Sequence, residues 1–150
     1  MKHLVKLFLL ISFIYNFSYA LTPFSLEGLK SVNIAILNKG KLVSKQTIEK
    51  IKKDLTHSLT KLGIQTHTLE FSNFLIKIDA KKIKKKFAVH VSLLLVESVN
   101  PIRDKKLINT AITYQQSDFF ITDELEDDVY ESAVEFLLPL FEEQYLEEKE

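Results

Sequence analysis

Three groups of side chains in this 150-residue sequence carry chemistry: the histidines, the acids of residues 123–128 and the lysines of residues 81–86. Histidine titrates near neutral pH and ligates metals, but His57, His67 and His90 lack a recognised ligand spacing, and His3 lies in an N-terminal apolar stretch. His67 and His90 are placed to face each other across neighbouring strands, with Glu70 as a third donor. A histidine within a sheet is ordinarily only hydrogen-bonded, so no metal is assigned. There is no cysteine, which excludes disulfides, thiolate metal sites and a lipid-bearing cysteine. The serines form no G-x-S-x-G elbow and no S-x-x-K with its partner motifs. The sequence therefore assigns no catalytic residue and no cofactor, and the reading is of a protein that is not an enzyme.

The acids Asp123, Glu124, Glu126, Asp127 and Asp128 suit the positive end of a helix dipole. Consecutive acids there point around the helix and do not converge on a substrate, and the alternating ligands and glycine of a calcium loop are missing. Lys81, Lys82, Lys84, Lys85 and Lys86 are the most concentrated charge in the chain. They read as the solvated face of a short helix capped by Asp79 and anchored by Ile83, and they are candidate binding residues for an acidic protein surface, anionic lipid or lipopolysaccharide phosphate. Tyr114, Phe119 and Phe120, with Tyr130, are a candidate aromatic rim near a strand end.

The elements that must position these groups follow from periodicity. Residues 32–37 have strand length and β-branched content, and Asn38-Lys39-Gly40 ends them as a turn. Ser44 is an N-cap for a helix whose apolar positions Ile48, Ile51, Leu55, Leu59 and Leu62 recur every three or four residues, with Gly63 as the stop. Residues 64–71 read as a second strand, parallel to the first across that helix. Residues 72–78 are open between loop and strand, and residues 80–86 read as the short helix. Residues 87–96 are apolar on both alternating faces and read as the central strand, covered on both sides. Asn100-Pro101 and Arg103-Asp104-Lys105 turn the chain into an antiparallel strand at residues 107–115, on which Thr110, Ile108, Ile112 and Tyr114 share a face. A last helix over residues 131–146 carries the stripe Val129, Ala133, Phe136, Leu137, Leu140 and Phe141, with Pro139 dividing or kinking it near Leu138. The fold class is α/β (α+β): a mixed sheet of about four strands and two main helices, in the order β-α-β-(short α)-β-β-α.

Residues 1–20 set the compartment. Lys2 and Lys6 precede an apolar run of about nine residues, and Ser18-Tyr19-Ala20 closes it, the pattern of a cleavable export signal. The run is short for a helix crossing a ~30 Å hydrocarbon core. Residues 21–150 are then a single exported, periplasmic α/β domain, whose 18 basic and 20 acidic residues imply no polyanionic partner. Export removes nucleic acid from the candidate partners. Charge is segregated: 13 lysines lie between Lys39 and Lys86 against four acids, and 12 acids lie from Asp123 onward against one lysine. A chain so divided complements itself within the fold or between copies.

The order of elements, with the lysine-rich residues 79–86 leading into a long apolar strand, resembles small periplasmic α/β domains. The nearest in style are the amino-terminal domain of the Tol-system β-propeller protein and the auxiliary or outer-membrane lipoproteins of transport and envelope-assembly machines. The resemblance spans residues 31–146 and lies in topology alone; the acylated cysteine of the lipoproteins is absent. It implies a non-enzymatic interaction domain with a cell-envelope protein as partner. Two other classes are a carrier or sensor of a small apolar or lipidic ligand, which needs a large apolar cavity, and an exported hydrolase, which needs a polar cleft where His67 or His90 meets an acid or serine.

Overall fold

The computed structural model describes residues 26–67 and 72–149, so the export-signal segment and Glu70 lie outside the described residues. The chain forms β1 (Asn33–Lys39), α1 (Lys45–Lys61), β2 (Asn73–Ile83), β3 (Lys86–Val99) and β4 (Asn109–Thr122). A helical run closes it, made of α2 (Leu125–Tyr130), a π-helical segment (Glu131–Leu137) and α3 (Leu138–Glu147). The four strands make one mixed sheet in the order β1-β2-β3-β4, with β1 parallel to β2 and the remaining pairs antiparallel. This is the α/β class read from the sequence.

The sheet is built on a period-two match. Phe74, Ile76, Ile78 and Ala80 of β2 lie opposite Leu95, Leu93, Val91 and Val89 of β3, and all eight are buried on one face. Both helical elements cover that face. Helix α1 contributes Ile51, Leu55 and Leu59, and the closing helical run contributes Leu125, Val129, Ala133, Leu137, Leu138, Phe141 and Tyr145. Phe141 is the hub: its ring meets Phe74 edge-on at 4.9 Å and Tyr114 at 5.4 Å between centroids, and stacks with Tyr145 at 6.1 Å. Burial raises the Tyr114 hydroxyl to a pKa of about 12.

Helix α1 begins and ends as its sequence predicts. The Thr47 N–H donates to Ser44 Oγ at 3.2 Å. At the other end Gly63 adopts φ +85°, its N–H donates to the Thr60 carbonyl, and Ile64 N–H donates to the Leu59 carbonyl at 2.9 Å. These two bonds satisfy carbonyls that the helix leaves open. Two contacts then tie α1 to the closing helix. The Ser44 N–H and hydroxyl both donate to the Glu126 carboxylate, at 2.9 and 3.0 Å. The Tyr130 hydroxyl donates to Asp54 Oδ2 at 2.9 Å while Lys50 Nζ sits 3.6 Å from the centre of the Tyr130 ring.

Four expectations are corrected. Residues 64–67 contribute one parallel bridge, Ser31 to Gln65, and the strand beside β1 is Asn73–Ile83. The short helix over residues 80–86 does not form. Asp79 lies within β2, where it accepts from Lys39 Nζ at 2.9 Å instead of capping a helix, and the lysines run through the end of β2 into a tight turn at Lys84 and Lys85, with Lys84 at φ +56°. A helix there would have Ile83 alone to bury, whereas strand pairing extends the β2–β3 ladder by several backbone bonds; Ile83 is in fact 52% exposed. The last strand runs on to Thr122, and a bulge where Leu95 and Val96 meet Tyr114 and Ile112 drops Thr113 from register. That bulge sends Tyr114 into the core and leaves Ile112 on the other face, 48% exposed, so the two do not share a face. Finally, the packed span of the last helical run is longer than residues 131–146: it starts at Leu125, with Glu126, Asp127 and Asp128 in its first turn as the dipole reading places them. Around Pro139 the helix changes type: the π-helical turns end at Leu137, and α3 takes Pro139 into its first turn, where a missing N–H costs least.

Two outcomes are expected. Leu93→Ala should lower unfolding free energy by about 2–5 kcal/mol and Phe141→Ala by about 3–5 kcal/mol in chemical denaturation; a loss under ~1 kcal/mol for either would place the core elsewhere. Burial pushes the Glu126 carboxyl upward, but hydrogen bonds from Thr47 and Ser44 outweigh it and hold the group below its ordinary 4.5. Its contribution is complete above pH 4.5 and lost as pH falls through the lower folded value. Glu126→Gln should therefore flatten the acid limb of a stability–pH profile below 4.5 and cost under about 1 kcal/mol at neutral pH, since the site is partly exposed.

Candidate functional site

The candidate residues separate into three places. Lys81, Lys82, Lys84, Lys85 and Lys86 are all exposed around the β2–β3 turn, and Lys82 Nζ lies 5.8 Å from the centre of the Phe87 ring. Tyr114 is in the core and takes no part in a surface rim. Phe119 and Phe120 are neighbours on β4 and so point to opposite faces: Phe119 pairs with His90 on the open face, 6.4 Å between ring centres, and Phe120 pairs with Val89 on the helix-covered face.

His90 has a hydroxyl partner: its Nε2 lies 3.3 Å from Ser92 Oγ. Asp79 sits opposite His90 in the ladder, held below the usual carboxylate range first by the Lys39 hydrogen bond. Yet Ser92 is buried in the sheet, with Lys77 and Ser117 as its cross-strand neighbours, and the pair lies on a pleated surface and not in a cleft. His67 is exposed beyond the end of α1. Among the described residues no cluster of three His, Asp or Glu side chains is arranged to hold a metal ion.

The structure assembles one further site. A groove of about 330 Å³ opens between β4 and the closing helix, lined by Asp118, Phe120, Ile121, Asp128, Glu131, Ser132 and Phe136. Asp118 and Phe120 face the helix side of the sheet, and Ile121 faces the opposite side. A cavity touching both must straddle the outer edge of β4. The opposite wall is α2 and the π-helical segment, whose wider turns carry Glu131, Ser132 and Phe136 to the groove. Ser132 is 4% exposed and its Oγ has no hydrogen-bond partner. Phe136 and Ile121 are exposed apolar side chains at its rim. The arrangement offers three carboxylates over an aromatic and aliphatic lining, beside a strand edge.

Of these lining residues, Phe120 alone was a candidate from sequence. Asp128 was legible only as a helix-start acid, because its convergence with Asp118 depends on a strand that continues past Gln115. The signal for that continuation is Phe119-Phe120-Ile121-Thr122, four strand-favouring residues after a polar stretch. The π-helical segment has no sequence signature beyond Pro139 downstream of it.

No known protein family matches this chain. No curated protein matches it significantly.

An unpartnered buried hydroxyl costs about 1–3 kcal/mol. Ser132→Ala should therefore be neutral or raise stability by about 1 kcal/mol in thermal unfolding; a clear destabilisation would mean that the hydroxyl is bonded within the fold.

Proposed function

We propose that this protein is a non-enzymatic docking domain of the bacterial cell envelope, exported by its N-terminal segment and joined to a protein partner through the outer edge of β4. The observation that carries this reading is the edge itself. It is 14 residues long and contains no proline, lysine or arginine, and past the bulge at Thr113 residues 114–122 run without a further register shift, with Asp118 as their one charge. On its open face Phe119 is 68% and Ile121 65% exposed. A regular edge of that length flanked by apolar side chains suits strand addition, in which main-chain hydrogen bonds supply affinity.

Two features favour docking over the other classes. The space between the sheet and the last helix is filled by the rings of Phe74, Tyr114 and Phe141, which leaves a lipid carrier little room to hold an apolar ligand. His90, hydrogen-bonded to Ser92, lies on the sheet face without helices and not in a cleft, which disfavours a hydrolase. No helix among the described residues is long and apolar enough to cross a membrane.

A second reading concerns the lysine turn. Five exposed lysines surround Ile83, which is also exposed, and a basic tip with one apolar side chain suits an anionic headgroup layer or lipopolysaccharide phosphate as well as an acidic protein.

A photo-crosslinking residue in place of Phe119 is expected to capture a discrete envelope protein in cells, whereas the same residue at Lys52 on α1 captures none; equal capture at both positions, or none at either, contradicts edge docking. Changing Lys81, Lys82, Lys84, Lys85 and Lys86 to glutamine should leave thermal stability nearly unchanged and weaken binding to vesicles of anionic phospholipid in a salt-dependent manner. Unaltered vesicle binding removes the lysine turn from the function.

A further inference from the structure

We infer that the groove beside β4 receives an extended segment of the partner in which lysine or arginine alternates with apolar residues, the cationic side chains entering among Asp118, Asp128 and Glu131 and the apolar ones covering Phe119 and Ile121. This rests on the edge-docking reading and specifies the partner's chemistry.

The alternation follows from strand geometry. A strand added to β4 presents successive side chains to opposite faces of the extended sheet. On the helix-covered side it meets Asp118 and, across the groove, Asp128 and Glu131; on the open side it meets Phe119 and Ile121. One face therefore selects positive charge and the other apolar surface, with a period of two residues.

Three observations besides the acids point to a cationic side chain with a long stem. None of the groove's lining residues is basic, and among the described residues none of its three carboxylates forms an ion pair within the fold. Phe120 and Phe136 line the groove with rings, against which methylene stems pack while the charged head reaches the carboxylates. Ser132 adds a buried oxygen without a partner, able to accept from an ammonium or guanidinium group. That this oxygen lies on a π-helical segment fits a functional origin, because such segments are costly and recur at binding sites.

The test uses the purified chain and three labelled peptides of about ten residues: one alternating Lys and Val, one with the same residues in separate blocks, and one alternating but N-methylated on every backbone nitrogen, so that neither of its edges can donate. Fluorescence anisotropy should show the first binding at least about tenfold more tightly than the other two. It should also show a weakening of about tenfold in the triple variant Asp118→Asn, Asp128→Asn, Glu131→Gln, with an unchanged melting temperature confirming its fold. Equal binding of the block peptide, equal binding of the N-methylated peptide, or an unaffected triple variant each overturns the inference; so does self-association of the chain through β4, seen as a rise in mass with concentration that the peptide does not reverse. Because the N-methyl comparison uses the unaltered chain, it decides the matter even if the triple variant unfolds. Crosslinking from Phe119 that persists while the peptides fail leaves edge docking standing with a different partner chemistry, and failure of both removes the docking reading as well.

Discussion

The period-two pairing of β2 with β3 is the constraint on which the rest of the molecule depends. It places Phe74, Ile76, Ile78 and Ala80 against Leu95, Leu93, Val91 and Val89, and a shift by a single residue would exchange this apolar set for Leu75, Lys77 and Asp79. With that register fixed, one face of the sheet must be covered, and the two helical elements are the only described segments with apolar stripes to cover it. Neither is then available for the other face or for the outer edges. The exposed side chains of Leu37, Ile112, Phe119 and Ile121 follow from this economy of cover: they belong to the face turned away from the helices.

Connections between the helices are polar and sit at the surface of this core. Glu126 accepts from Ser44, the residue that caps α1, and Asp54 holds the Tyr130 hydroxyl one residue before the π-helical segment begins. Both contacts fix the closing helix against α1, and so fix the position of Asp128, Glu131 and Ser132 relative to β4. The groove is thus a product of three separate elements: a strand edge, a widened helix and the polar contacts that orient the helix. Its carboxylates gather where the sequence's acidic half meets the sheet, far in sequence from the lysines that surround the β2–β3 turn.

Much of this was legible in the residues. The spacing of Ile48, Ile51, Leu55, Leu59 and Leu62, the Ser44 cap and the Gly63 stop define α1 because local chemistry and tertiary burial agree there. The apolar run at residues 87–96 marks a central strand of the sheet, but the covering expected on both sides is found on one: Val89, Val91, Leu93 and Leu95 join the core, while Ala88, His90, Ser92, Leu94 and Val96 lie on the face without helices. Residues 79–86 were misleading because alanine and lysine favour a helix locally, while the two-residue turn at Lys84 and Lys85 lacks the glycine or asparagine that ordinarily announces a hairpin, so the pairing of residues 79–83 with 86–90 left no turn signal. The bulge opposite Leu95 and Val96 was invisible for a related reason: the alternation of Thr110, Ile112 and Tyr114 looks continuous, and only the pairing with β3 reveals that Thr113 is extra. Everything past that bulge, including the helix-side placement of Asp118 and Phe120, inherits the change of phase.

Whether β4 is an open edge can be read directly from residue-resolved amide hydrogen exchange of the free chain. The structure requires slow exchange at the β4 amides that bond to β3 and fast exchange at those pointing outward, alternating along residues 114–122, past the bulge at Thr113. Uniformly slow exchange along that stretch would mean that the outer side is already paired, and the edge, its groove and the docking function built on them would fall together.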